Sequence, residues 1–169
     1  MLRRFFAGLT ESTFYGRLGI GDPPLVDYLA ELLARFVRSD AIFGIHGVSG
    51  KRLVNVADML VEAEARQGEA RRKVHRHIGD FTLFWTGVYP ERIARLRRIG
   101  QKDSLIDYHT QGKRAYHIAS TIPVASATVP AAVLERLSRE FELCAYGLSE
   151  VRRQWERRDG GDSLAMLIR

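Results

Sequence analysis

PAAVLERLSREFELCAYGLSEVRRQWERR, residues 130–158, carries the periodicity that decides the fold class. Leu134, Leu137, Phe141, Cys144, Leu148, Val151 and Trp155 recur at spacings of three and four, the signature of one apolar stripe on a helix. Pro130 opens the pattern, where its fixed φ suits a first turn, and the Gly160-Gly161 pair closes it. The spacing predicts one unbroken helix, the longest of the chain, roughly 40 Å at about 1.5 Å per residue. Such a helix either spans the whole domain or projects as a partner surface. Leu148, Val151 and Trp155, with Leu164, Leu167 and Ile168 of the short apolar tail at 159–169, are the candidate interface.

Working outward, the same period returns. Asp22-Pro23-Pro24 is a start signal, and Leu25, Leu29, Leu32, Leu33 and Phe36 then share a face up to about Arg38. Residues 39–50 read as a connector punctuated by Gly44, Gly47 and Gly50. Leu53, Val56, Leu60 and Ala63 resume the stripe, and Gly68 breaks it or passes it to a helix over 69–86 through Val74, Ile78, Phe81, Trp85 and Val88. Pro90 starts a short basic helix ending near Gly100. Asp103 or Ser104 can cap a further helix whose face holds Leu105, Tyr108, His109, Gly112, Tyr116 and Ala119; residues 122–129 form a linker. No strand alternation or internal repeat stands out. The expectation is an all-α single domain over 1–169, a bundle of five to seven helices with a long C-terminal helix and a less regular segment at 1–22.

Composition agrees. A 169-residue chain with 46% hydrophobic and 27% charged residues is globular in type and of one-domain length. Cys144, the one cysteine, excludes an intrachain disulfide and reads as a small buried hydrophobe. Arg3 and Arg4 imitate a signal peptide, but Gly8, Thr10 and Glu11 end the apolar run too early. The longest apolar stretch, residues 81–89, is far short of a membrane span. These features predict a cytoplasmic protein with no membrane span.

Chemistry-bearing residues are few. HIGDFTLFWTGVY, residues 77–89, places His77 and Asp80 three apart in an aromatic-rich helix, where their side chains share a face. Beside that stripe Asp80 becomes a partly buried carboxylate that needs a partner, from an arginine or from the hydroxyl of Tyr108 or Tyr116. Gly112, mid-helix at a cost of about 1 kcal/mol against alanine, signals close approach of a neighbouring helix or a ligand. His77, Asp80, Trp85, Tyr108, His109 and Tyr116 are therefore the candidate polar network or pocket, between helices 69–86 and 103–121. No nucleophile–base set can be assigned among them, so the reading leans away from an enzyme. His75 and His77 diverge by roughly 200° on a helix and cannot chelate together, so neither metal nor cofactor is expected. Gly47-Val48-Ser49-Gly50-Lys51-Arg52 fails as a phosphate loop on its glycine spacing and on Arg52, where a hydroxyl belongs.

The formal charge is +6, and all but four of the basic residues are arginine. Arg71, Arg72, Lys73 and Arg76, and separately Arg92, Arg95, Arg97, Arg98 and Lys102, have few acids among them and are candidate contacts to nucleic acid or another polyanion. Three functional classes stay open: a helical protein that binds a protein partner or itself, a nucleic-acid or polyanion binder, and an enzyme or small-ligand receptor.

The stretch GDFTLFWTGVYPE at 79–91, with Asp107-Tyr108, Gly112 and Ala115-Tyr116, resembles a bacterial protein family with a Gly-Asp-x-x-Leu-Phe-x-x-Gly-x-x-Pro-Glu core. The resemblance covers roughly residues 24–121. It implies an all-helical fold and no activity, since the family is uncharacterised.

Overall fold

A computed structural model describes residues 1–37, 46–47, 50–126 and 128–158. The tail residues Leu164, Leu167 and Ile168, and most of the connector at 39–50, lie outside the described residues. Among the described residues the protein is all-helical. Its eight α-helices are α1 (Leu2–Glu11), α2 (Pro23–Val37), α3 (Val56–Ala65), α4 (Gly68–Val88), α5 (Pro90–Leu96), α6 (Tyr108–Thr121), α7 (Ala131–Arg139) and α8 (Phe141–Arg158). A π-helical turn, Ser12–Arg17, continues α1. No helix among the described residues is long and apolar enough to cross a membrane.

The count exceeds the expected five to seven for two reasons. Residues 2–11 are a regular helix rather than an irregular segment, because Phe6 and Leu9 are buried. The long C-terminal helix is also two helices. The chain departs from helical geometry at Glu140 (φ −103°, ψ 25°), since α7 packs along α6 while α8 packs along α4. The periodicity survives the break because both pieces turn their stripe to the same core. Among the described residues the longest helix is instead α4, with 21 residues.

α4 is the central element, contacting α2, α3, α6 and α8. Every residue from 77 to 85 is buried, so its C-terminal half has no solvent face. Its approach to α6 is backbone-close. A methyl group built on Gly79 would sit 2.6 Å from ring carbons of Tyr116, and one on Gly112 would sit 2.5 Å from the Phe141 ring and overlap Thr82 Oγ1.

Local signals place several ends. Asp22 Oδ1 accepts the Leu25 N–H at 3.3 Å beside Pro23 at the start of α2, and Gly68 adopts φ +59° between α3 and α4. Asp107 caps α6 through the Thr110 N–H at 3.1 Å, one turn after the predicted cap. Asp103 is a cap too, but for another helix: its carboxylate accepts the N–H groups of Val56 and Ala57, both at 2.9 Å, at the start of α3.

The three described residues of the expected interface are internal. Leu148, Val151 and Trp155 are buried, with Trp155 edge-on to Phe6 at 5.1 Å and to Phe5 at 6.5 Å. The stripe of α8 is covered by α1 and α4 of the same chain.

Candidate functional site

Asp80 is 1% exposed. A buried carboxylate is costly unless it is paired and hydrogen-bonded, and here three helices supply the partners. Tyr28 and Tyr116 donate their hydroxyls to Oδ1 at 2.5 and 2.7 Å, and Arg35 Nη2 donates to Oδ2 at 3.0 Å. Arg76 Nε lies 4.0 Å from Oδ2 and donates to the Tyr28 hydroxyl at 3.0 Å, with its guanidinium 5.3 Å above the Tyr28 ring. Tyr28 and Arg35, seven residues apart on α2, face the same way after two turns; Arg76 and Asp80 are one turn apart on α4. Tyr116 comes from α6.

The electrostatics follow the geometry. Burial, and then the Asp80 charge, hold both tyrosines protonated by raising their pKa values well above the ordinary range. Burial works against the charge on Arg35, but Asp80 more than offsets it, and its pKa ends raised. Arg76 behaves similarly, with Tyr28 and Asp80 outweighing burial. A carboxylate filled by three donors is built to hold helices and an arginine in place.

Of the six residues expected to form one cluster, Asp80 and Tyr116 meet. Tyr108 belongs to a second buried network, donating to Asp103 Oδ2 at 2.6 Å and so steadying the α3 cap. His77 stacks against Phe36, with ring centroids 5.9 Å apart. Trp85 is buried among Phe81, Phe84 and Tyr89. His109 is exposed and meets Phe141 edge-on. Sequence reasoning missed Tyr28 and Arg35. The only signal was a polar pair at seven-residue spacing beside an apolar stripe, which nothing local connects to Asp80.

The basic segments divide by environment. Arg71 pairs with Glu64 at 3.5 Å, and Lys102 with Asp58 at 2.9 Å. Arg92 lies over the Tyr89 ring, while Arg95, Arg97 and Arg98 are exposed. Arg72 is buried and donates to the carbonyls of Ala119 and Val129 at 3.2 and 2.8 Å, tying α4 to the end of α6 and to the linker. Beside it opens a cleft of about 230 Å³ lined by Glu69, Arg72, Lys73, Arg76, Val124, Ser126 and Thr128. Three cationic residues, two hydroxyl residues and one acid are among its lining. Arg76 belongs to both the cleft and the Asp80 network, so the buried carboxylate helps to aim a cleft-lining guanidinium.

Among the described residues no group of three His, Cys, Asp or Glu side chains is placed to hold a metal ion. Comparison of the chain with models of protein families, with curated proteins and with solved structures gave no match in any of the three. The resemblance noted in the sequence rests on the quoted residues alone.

Proposed function

We propose that this protein binds a phosphate-bearing small ligand in the cleft between the first half of α4 and the linker before α7. One observation carries the reading: Arg72, Lys73 and Arg76 line one cleft together with the hydroxyl residues Ser126 and Thr128. Charge-assisted hydrogen bonds from guanidinium and ammonium groups, joined by hydroxyl donors, are the usual means of holding a phosphoryl group. Arg72 and Arg76 are already ordered by their protein partners, which lowers the entropy lost on binding. Lys73 has no ion-pair partner among the described residues and is free to close on the anion.

Isothermal titration with pyrophosphate at low ionic strength tests this. The native protein should bind, and Lys73→Gln with Thr128→Val should weaken binding at least about tenfold, equivalent to about 1.4 kcal/mol. An equal affinity in the double variant, or no heat in the native protein, would sink the reading. Sequence-tolerant binding of an oligonucleotide in preference to pyrophosphate would shift it to a nucleic-acid surface that also draws on Arg95, Arg97 and Arg98.

A second reading, capture of a protein partner or self-association, draws on Ile99 and Leu105, which stand fully exposed in the segment between α5 and α6. Replacing both by serine should abolish any concentration-dependent rise in mass seen by light scattering. A native protein that stays monomeric at high concentration removes self-association.

A further inference from the structure

A second cleft of about 230 Å³ opens on another side of α4, lined by Leu60 and Glu64 of α3, His75 of α4, and Gln111, Arg114, Ala115 and Ile118 of α6. It lies between the helices where a pocket was expected, but none of the six residues expected there lines it. Its floor is unusual. His75 is 3% exposed, and neither ring nitrogen has a hydrogen-bond partner. Buried polar atoms are rarely left so, and each one needs a reason. The walls from Leu60, Ala115 and Ile118 are apolar, and Glu64, Gln111 and Arg114 complete the lining.

We propose that this cleft binds a small apolar molecule through an uncharged amide-type head that hydrogen-bonds to His75. The charged groups facing the imidazole are Arg71 on its own helix, Glu64 on α3 and Arg114 on α6. Glu64 is already paired with Arg71. Burial first, then the two arginines, push the His75 pKa down to about 4, so the ring is neutral at physiological pH. A neutral imidazole offers one donor and one acceptor, and either nitrogen can carry the proton. An amide, with an N–H and a C=O, answers whichever nitrogen faces the cleft. A carboxylate or an ammonium could also find the matching tautomer, but it would have to give up its hydration to reach a ring that is 3% exposed, a cost the uncharged amide does not carry. The apolar body of the ligand would lie on Leu60, Ala115 and Ile118, while the rim side chains of Glu64 and Gln111 move aside to admit the head to the ring.

The probe is benzamide, with benzoate and benzylammonium as charged counterparts of the same shape. In the full chain labelled with 15N-histidine, benzamide should shift the His75 ring signals saturably in the millimolar range and leave exposed His46 and His117 unmoved. Benzoate and benzylammonium should bind at least tenfold more weakly. Leu60→Trp, at a half-buried wall position, should fill the cleft and abolish the shift while pyrophosphate binding persists, which separates this site from the basic cleft. His75→Phe should melt at the same temperature or higher, because it removes an unpartnered polar group, and should not bind benzamide. An unmoved His75 in the folded protein, a benzamide shift that survives Leu60→Trp, benzoate binding as tight as benzamide, or a lower melting temperature for His75→Phe would each overturn the proposal.

Discussion

At the scale of single residues, Asp80 and Gly112 make opposite demands on a substitution. Asp80→Asn keeps the shape but removes the charge that Arg35 and the two tyrosine hydroxyls answer. A loss of about 1–3 kcal/mol follows if one buried donor is left unpaired, read as a lower urea midpoint at unchanged slope. The same variant should weaken pyrophosphate binding, since Arg76 loses part of what aims it. Unchanged affinity would mean that the network only holds helices together. Gly112→Ala adds a methyl where α6 meets Phe141 and Thr82. Overpacking of about 1–3 kcal/mol exceeds the roughly 1 kcal/mol that alanine gains in a helix. The variant should therefore be destabilised in the same titration, whereas alanine at an exposed mid-helix glycine would stabilise.

At the scale of elements, Asp103 shows how a helix can be capped from a distance. Its two carboxylate oxygens satisfy two of the free N–H groups at the start of α3, and Tyr108 donates to the same carboxylate. Asp103→Ala should cost about 0.5–2 kcal/mol as a lost cap, and about 1–3 kcal/mol more because the buried Tyr108 hydroxyl loses its acceptor. Hydrogen exchange should accelerate first at the amides of Val56 and Ala57. The two halves of the C-terminal pattern also differ in what they bury. Trp155→Ala opens a cavity against Phe5 and Phe6, and the loss of about 3–5 kcal/mol should appear as global destabilisation that loosens α1, not as weakened association.

At the scale of the whole molecule, acid and salt act on different sites. With its folded pKa near 4 and an ordinary value of 6.5, His75 stays neutral in the native state while the unfolded chain takes up a proton. Its share of stability is complete above about pH 6.5 and is lost as pH falls toward 4. His75→Phe should remove that slope, so its melting temperature should gain on the native protein between pH 6.5 and 4.5. A constant difference across that range would count against a neutral buried His75. Salt should act on the basic cleft, where pyrophosphate affinity is expected to fall steadily with ionic strength.

From Asp22 onward, helix type and approximate position needed only the sequence; residues 1–22, expected to be less regular, instead hold α1 and its π-helical turn. The period of the apolar residues in α2, α4 and α8 reflects hydrogen bonds four residues apart and burial of one face, and both are written locally. Pro23, Gly68, Pro90 and Pro130 mark real boundaries for the same reason: their backbone preferences act within a turn. The Asp80 site was half legible. A carboxylate beside an apolar stripe demands partners, and Tyr116 was among those expected, but Tyr28 and Arg35 lie 52 and 45 residues away. Their arrival depends on how α2 packs on α4, and that of Tyr116 on the close approach of α4 and α6 at Gly79 and Gly112; no local period sets either. The same holds for Asp103 capping a helix 47 residues earlier and for the break at Glu140, where one stripe must serve two neighbours. Periodicity tells a residue which way to face; only packing decides what it faces.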